Sequence, residues 1–273
     1  MVSLRESLML TDGGVVSIVG AGGKTSLMFR IARELSQAGE SVLTTTTTKI
    51  LMPDKDQSSR VIVSDSLGEF LSKAGMAIKD NPHITAASEV LTAMVDIQPR
   101  AIDMDQRRKL IGFLPEFIDA VHKAGVFNWI LVEADGAAGK PLKAPDPHEP
   151  VIPESTARLI GILGLDGVGK PLDNEWVFRP HRFAEITGLS EGDIVNVADC
   201  VISIMHGSGI MKGAPGGAER LVFLNKADDP DRLGVARKIA ALLEKKKDAG
   251  LRRIIIGQAI HEPPVIEFRD LHQ

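Results

Sequence analysis

The residues best placed for chemistry form a glycine-rich turn near the amino terminus. Gly20-Ala21-Gly22-Gly23-Lys24-Thr25-Ser26 follows the apolar run 15–19 and precedes a helical pattern. Glycines let the backbone curl with its N–H groups pointing inward, and a helix start adds a positive dipole. We expect this turn to bind nucleotide phosphates, with Lys24 on the terminal phosphates and the Thr25 hydroxyl on Mg²⁺.

The turn departs from the usual phosphate-loop pattern G-x-x-x-x-G-K-[ST]. The first glycine of that pattern would stand at position 18, which is Ile18. The shorter spacing G-x-x-G-K-T, from Gly20 to Thr25, is typical of Mur-type ligases. The strand before the turn and the helix after it are the context that supports a phosphate-binding function.

Two acidic residues end a second apolar strand. In Trp129-Ile130-Leu131-Val132-Glu133-Ala134-Asp135 the acids are two residues apart, so both can project to one side of the strand end. Phosphate-loop enzymes place a magnesium-binding carboxylate at such a position. We expect one of Glu133 and Asp135 to bind Mg²⁺ and the other to orient a water molecule or a substrate hydroxyl.

A third motif, Asn225-Lys226-Ala227-Asp228, follows the apolar run 221–224. Many GTPases read guanine with Asn-Lys-x-Asp, because the aspartate accepts hydrogen bonds from ring and exocyclic N–H groups that adenine does not offer. The same tetrapeptide can be a plain turn that opens the next helix. The nucleotide is therefore expected to be GTP or ATP.

Further polar residues follow these motifs along the chain. The run Thr44–Thr48 predicts a strand, because threonine is β-branched, and a hydroxyl at its end, Thr47 or Thr48, is expected to reach Mg²⁺ or the γ-phosphate. Basic residues that can contact an anionic substrate, or simply lie on a connector or the surface, are Lys140, Lys143, His148, Arg179, His181 and Arg182.

The pattern of apolar runs predicts an α/β fold. Strands are expected at 41–48, 61–64, 129–133, 158–163, 200–204, 221–224 and 253–256, and helices at 27–38, 67–74, 102–124 and 232–247. Nearly all-apolar strands that alternate with helices imply a mostly parallel sheet with helices on both faces, the three-layer architecture of P-loop NTPases. We predict one domain over 1–273, with a possible insertion or cap at about 81–108.

Composition excludes several classes of function. The 273 residues carry a net charge of −4, which gives no global basic field for a nucleic-acid partner. The single cysteine, Cys200, rules out an intrachain disulfide and a cysteine-cluster metal site. No apolar run reaches the roughly 18 residues of a membrane span, so we expect a cytoplasmic protein without a membrane partner. The oligomeric state stays open.

Together the motifs resemble a known family, the YqeC proteins. The resemblance rests on the turn 20–25, the strand 44–49, Val132–Gly136, Pro141–Pro145, His148–Pro153 and Leu224–Asp228. It implies a P-loop fold and a part in maturing selenium-dependent molybdenum hydroxylases, with the hydroxylase apoprotein or a cofactor precursor as partner. It supplies no reaction, and no selenocysteine is visible here.

Three functional hypotheses follow. The first is an Mg²⁺-dependent enzyme of cofactor maturation that binds and hydrolyses a nucleoside triphosphate, with Lys24, Glu133 and Asp135 as catalytic residues. The second is a GTP-switched chaperone for a hydroxylase apoprotein, which the Asn225–Asp228 motif favours. The third is an ATP-dependent ligase that forms an acyl phosphate, which the short Mur-type turn favours.

Overall fold

The strand before the glycine turn lies at the centre of the structure. The computed structural model describes residues 3–92, 108–246 and 250–271. Its strands are β1 (Gly14–Gly20), β2 (Val42–Thr46), β3 (Lys49–Leu51), β4 (Val61–Val63), β5 (His83–Ala87), β6 (Glu89–Thr92), β7 (Arg108–Ile111), β8 (Trp129–Glu133), β9 (Leu142–Lys143), β10 (Thr156–Gly164), β11 (Val177–Phe178), β12 (Glu219–Asn225), β13 (Leu251–Gly257) and β14 (Val265–Asp270).

Nine of these strands form the main sheet, in the order β14-β13-β12-β10-β1-β8-β2-β5-β4. Every pair is parallel except β13 with the edge strand β14, which is antiparallel. Because the strands run in parallel, β1, β8, β10 and β12 all end at the same edge. The glycine turn, the acids and the Asn225 motif therefore meet there, at the carboxyl ends of the strands, where parallel α/β sheets bind their ligands.

Helices cover both faces of this sheet. They are α1 (Leu4–Ser7), α2 (Lys24–Gln37), α3 (Leu67–Ala77), α4 (Pro115–Ala124), α5 (Pro180–Thr187), α6 (Val197–Met205) and α7 (Pro230–Lys246). Within β1, Val15 and Val19 join one buried cluster and Val16 and Ile18 the other. Helices α1 and α2 pack in the second cluster, and α3 to α7 in the first. This confirms the predicted three-layer α/β architecture.

The prediction of a strand over 200–204 was wrong. These residues lie in α6, where Asn196 caps the helix: its side chain accepts from the N–H groups of Ala198 and Asp199, and Asp199 bonds back to the Asn196 N–H. This capping box sets a helix start. Cys200, Val201 and Ile204 form a buried apolar face, and periodicity does not distinguish such a short apolar run in a helix from a strand.

The predicted helix over 102–124 was also wrong in part. Helix α4 begins only at Pro115, whose ring suits a first helical turn, and 108–111 form β7. Strand β7 pairs with β3 and β6 in a separate three-stranded antiparallel sheet. The expected insertion over 81–108 begins with β5, a strand of the main sheet, and its part 93–107 lies outside the described residues.

The lengths and polarity of the helices show whether any of them could span a membrane. Within residues 3–92, 108–246 and 250–271, every helix is too short or too polar to cross a bilayer.

Candidate functional site

The glycine turn is held in a conformation that only glycines adopt without strain. Gly20, Gly22 and Gly23 have φ angles of 95°, 90° and 122°. A Cβ on Gly20 would lie 2.3 Å from the Ile162 carbonyl oxygen, and one on Gly22 would lie 2.4 Å from Gly164. The turn therefore packs its backbone directly against the end of β10.

This turn leaves a row of backbone donors without acceptors. Helix α2 starts at Lys24, and its N-cap residue Gly23 offers no side-chain cap. The first intrahelical bond comes from the N–H of Leu27, and the N–H groups of residues 22–26 have no acceptor in the described part of the chain. Since Gly22 and Lys24 are buried and 23, 25 and 26 half-buried, these donors call for a ligand with several acceptor oxygens.

Lys24 lies beneath the turn, between two carboxylates. Its Nζ is 3.2 Å from Asp135 Oδ1 and 3.7 Å from Glu133 Oε1, and it donates to the Gly20 carbonyl at 2.8 Å. Burial by itself lowers the pKa of Lys24, but the charges of Asp135 and Glu133 raise that pKa above its usual value. Lys24 therefore carries a positive charge at the end of the sheet where the glycine turn lies.

The structure brings both predicted acids to the turn. Glu133 Oε2 accepts from the Thr25 hydroxyl at 2.6 Å, and Asp135 Oδ2 accepts from the Gly20 N–H at 3.0 Å. Asp135 is fully buried, and its Oδ1 has no hydrogen-bond donor in the described structure, only the charge of Lys24. Burial raises the pKa of the Glu133 carboxyl, while Lys24 opposes the rise.

Asn225 supports the turn from the neighbouring strand end. Its Nδ2 donates to the Gly22 carbonyl at 2.7 Å, and its Oδ1 accepts from the Ala259 N–H at 2.9 Å. This places Asn225 between the glycine turn and the loop after β13. The sequence alone did not predict this bridging position.

The other two polar residues of that motif form ion pairs. Lys226, in a left-handed conformation with a φ of 67°, contacts Asp166 Oδ2 at 2.6 Å. Asp228 Oδ1 accepts from Arg232 at 2.6 Å, and its side chain is 31% exposed. Asp228 is thus accessible at the sheet edge, beside the bridging Asn225.

Thr47 lies beside Glu133, and its N–H donates to the Glu133 carbonyl at 3.2 Å. Its hydroxyl donates to the Val151 carbonyl at 2.6 Å, while the Thr46 hydroxyl donates to the Glu133 carbonyl at 2.7 Å. The threonines thus brace β8 and the loop before β10. The Thr48 hydroxyl lies 3.2 Å from the Thr46 hydroxyl, its one hydrogen-bond partner among the described residues.

A buried ion-pair network, which is not predicted from the sequence, extends from Asp135. Lys143, expected to meet an anionic substrate, is 1% exposed and contacts Asp135 Oδ2 at 2.9 Å and Glu149 Oε2 at 3.0 Å. Arg179 forms a two-pronged pair with Glu149 at 2.6 and 3.1 Å. Although burial opposes it, Arg179 and Lys143 lower the pKa of Glu149 to about 2. The sequence feature that could have indicated this network is the presence of both basic and acidic residues within 143–149.

The protein side chains at this end of the sheet provide few ligands for a metal ion. Among the described residues, no three or more His, Cys, Asp or Glu side chains are grouped to hold one. Mg²⁺, however, is commonly bound by one or two carboxylates together with substrate phosphates. Thr25, Glu133 and the unpaired oxygen of Asp135 fit that requirement.

The parallel sheet with helices on both faces, and the glycine turn that leads into helix α2, define a three-layer α/β protein. The chain belongs to the YqeC family: the model of the family described as YqeC protein matches residues 16–181. It is 35% identical over 255 residues to "Uncharacterized protein YqeC" of Escherichia coli (strain K12), covering 93% of this chain and 91% of that protein. Among solved structures, it matches the MinD cell division protein of Aquifex aeolicus with 12% identity and a TM-score of 0.41, covering 89% and 82% of the two chains.

Proposed function

We propose that this protein binds a nucleoside triphosphate together with Mg²⁺ and hydrolyses it. The observation that carries the proposal is the row of unpaired N–H groups at residues 22–26 above the buried cation Lys24. Buried backbone donors without acceptors are rare in proteins, and triphosphate oxygens are suitable acceptors.

The side chains at the turn have separate parts in this function. Lys24 and the amides of 22–26 bind the β- and γ-phosphates, and Thr25 and Asp135 hold Mg²⁺, which neutralises phosphate charge when bound. Glu133 orients the attacking water and accepts its proton, which suits a carboxylate whose pKa burial raises. Lys24 must leave the two carboxylates to reach a phosphate, so nucleotide and Mg²⁺ are expected to bind together.

A nucleotide-controlled switch is the second candidate, and Asn225 favours it. Because Asn225 bonds both the Gly22 carbonyl and the loop after β13, a movement of the glycine turn on binding phosphate reaches the surface beside Asp228. The partner, from the family resemblance, is a molybdenum hydroxylase apoprotein or a cofactor precursor. If Asp228 recognises guanine, the bound nucleotide is GTP.

Hydrolysis of GTP and ATP, with and without Mg²⁺, tests the proposal. We expect Mg²⁺-dependent phosphate release by the wild type and a loss of at least tenfold in Thr25→Val, which keeps the side-chain shape but removes the hydroxyl. Thr11→Val, on an exposed threonine, is the matched control. Equal rates in Thr25→Val and Thr11→Val would contradict the assignment of Thr25.

Asp228→Ala separates the two nucleotides. If Asp228 reads guanine, this change abolishes GTP binding and leaves ATP binding unaltered. Unchanged GTP affinity in Asp228→Ala would overturn the guanine assignment and leave Asn225-Lys226-Ala227-Asp228 as a structural turn.

A further inference from the structure

A pocket lies beyond the ion-pair network, away from the glycine turn. It has a volume of about 250 Å³ and is formed by the proline-rich loop after β9, by helix α5 and by the turn after α6. Its apolar lining comes from Pro145, Pro147 and Ile186, and its polar lining includes Arg182, Ser208 and Lys212. A cavity of about 150 Å³ holds benzene, and drug-sized ligands occupy roughly 300 Å³ or more. The pocket therefore fits a molecule smaller than a nucleoside triphosphate.

Lys212 brings a positive charge to this pocket that no acid neutralises. Its Nζ donates to the carbonyl oxygens of Asp146 and Pro147 at 3.0 and 2.6 Å. Across the described residues it has no carboxylate partner, and one of its three N–H donors is left over. The carbonyls fix the ammonium group in place, so its charge is available to a ligand.

Two further donors line the same pocket. The Ser208 hydroxyl makes no hydrogen bond with the described part of the chain. Arg182 pairs through Nη1 with Glu185 at 2.8 Å and approaches Asp146 through Nε at 3.4 Å, which leaves its Nη2 without an acceptor in that same part. Glu185, the acid in the lining, is thus already paired with Arg182.

These donors suit a ligand with several acceptor oxygens and a negative charge. We propose that this pocket binds a small molecule that carries a carboxylate or phosphate group, held by Lys212, Ser208 and Arg182. Its apolar part lies against Pro145, Pro147 and Ile186. Charge-assisted hydrogen bonds of this kind are about twice as strong as neutral ones.

Ion pairs connect this pocket to the glycine turn. Arg182 and Arg179 both contact Asp146, at 3.4 and 2.8 Å, and Arg179 continues through Glu149 and Lys143 to Asp135 beside Lys24. Through these pairs a charged molecule in the pocket affects the charges around Lys24, and so the nucleotide-dependent function. That role rests on the proposed function, whereas the binding itself does not.

Titration with two simple probes, phenyl phosphate and benzoate, tests the binding by ligand-detected NMR. Lys212→Gln removes the charge while retaining an N–H donor for the Asp146 and Pro147 carbonyls. Ser208→Ala removes a hydroxyl without other contacts. The matched control is Lys238→Gln, on an exposed lysine of α7, and Lys24→Met reports on probe bound at the glycine turn.

We expect at least one probe to bind about tenfold more weakly to Lys212→Gln, as the loss of a charged hydrogen bond predicts, and more weakly to Ser208→Ala. Its affinity for Lys238→Gln and Lys24→Met stays that of the wild type. A stronger response to phenyl phosphate identifies a phosphate ligand, and a stronger response to benzoate a carboxylate ligand.

Two results would overturn the proposal. One is no binding of either probe to the wild type. The other is binding that Lys24→Met abolishes and Lys212→Gln leaves unchanged, which would place the probe at the glycine turn only. A protein that binds the probes through Lys212 but binds no nucleotide would retain this pocket and refute the proposed function instead.

Discussion

Replacement of Lys24 by methionine is predicted to destabilise the protein even without nucleotide. Methionine keeps the apolar stem but removes the charge between Asp135 and Glu133, whose side chains are 0% and 8% exposed. From separations of 3.2 and 3.7 Å, Coulomb's law at an effective dielectric constant of about 20 gives attractions of about 5 and about 4.5 kcal/mol. These are gross attractions, which the desolvation of the charges partly offsets.

The net loss follows from what remains after the change. Lys143 still lies 2.9 Å from Asp135, so the uncompensated charge falls mainly on Glu133. Breaking a buried pair by removing one partner costs about 3–5 kcal/mol, and we expect the lower end, about 3 kcal/mol, at pH 7.

Urea unfolding followed by circular dichroism measures this loss. Because burial already raises the pKa of Glu133 and Lys24 opposes the rise, the variant takes up a proton there more readily than the wild type. The difference in stability should therefore narrow from pH 7 to pH 5. In Lys24→Met with Glu133→Gln, at least half of the lost stability should return, and the control Lys238→Met should match the wild type. A loss that is independent of pH, with no recovery in the double variant, would refute the reasoning.

Three other predictions concern stability. Gly23→Ala should lower the free energy of unfolding by about 1–3 kcal/mol, because its φ is 122° and a Cβ would lie 2.4 Å from Asn225 Nδ2; a neutral result in urea would contradict this. Burial lowers the pKa of His83 to about 4, so stability should fall by up to about 3 kcal/mol between pH 6.5 and pH 4, and His83→Gln should flatten that part of the curve. Glu149, with its pKa lowered to about 2 beside Arg179, contributes stability that is present above pH 4.5 and is lost as the pH falls toward 2; the gap between wild type and Glu149→Gln should close over that window, and a constant gap would exclude it.

The central sheet and its phosphate turn could be predicted because their signals are local. The strand β1, the turn 20–26 and helix α2 follow one another in sequence, as do β8 and its two acids. Alternation of apolar strands with helices was enough to infer the parallel sheet. Short apolar runs carry less information: the run 200–204 predicts a strand, although Asn196 caps a helix there.

Contacts between distant residues could not be predicted. The bridge from Asn225 to Gly22 spans 203 positions, and the pair of Arg179 with Glu149 spans 30. Lys143 is buried because β9 packs where Asp135, at the end of β8, and Glu149, in the following loop, come together. The sequence alone predicts a surface cation at this position. Which hydroxyl of the run 44–48 faces which neighbour likewise depends on the pairing of β2 with β8.

The most direct test of the account is the thermal stability of the wild type with non-hydrolysable GTP and ATP analogues, with and without Mg²⁺. A ligand at 100 times its dissociation constant stabilises the native state by about 2.7 kcal/mol, an easily measured shift. We predict a shift for at least one analogue that requires Mg²⁺ and is lost in Thr25→Val but kept in Thr11→Val. No shift with either analogue would contradict nucleotide binding at the turn 20–26.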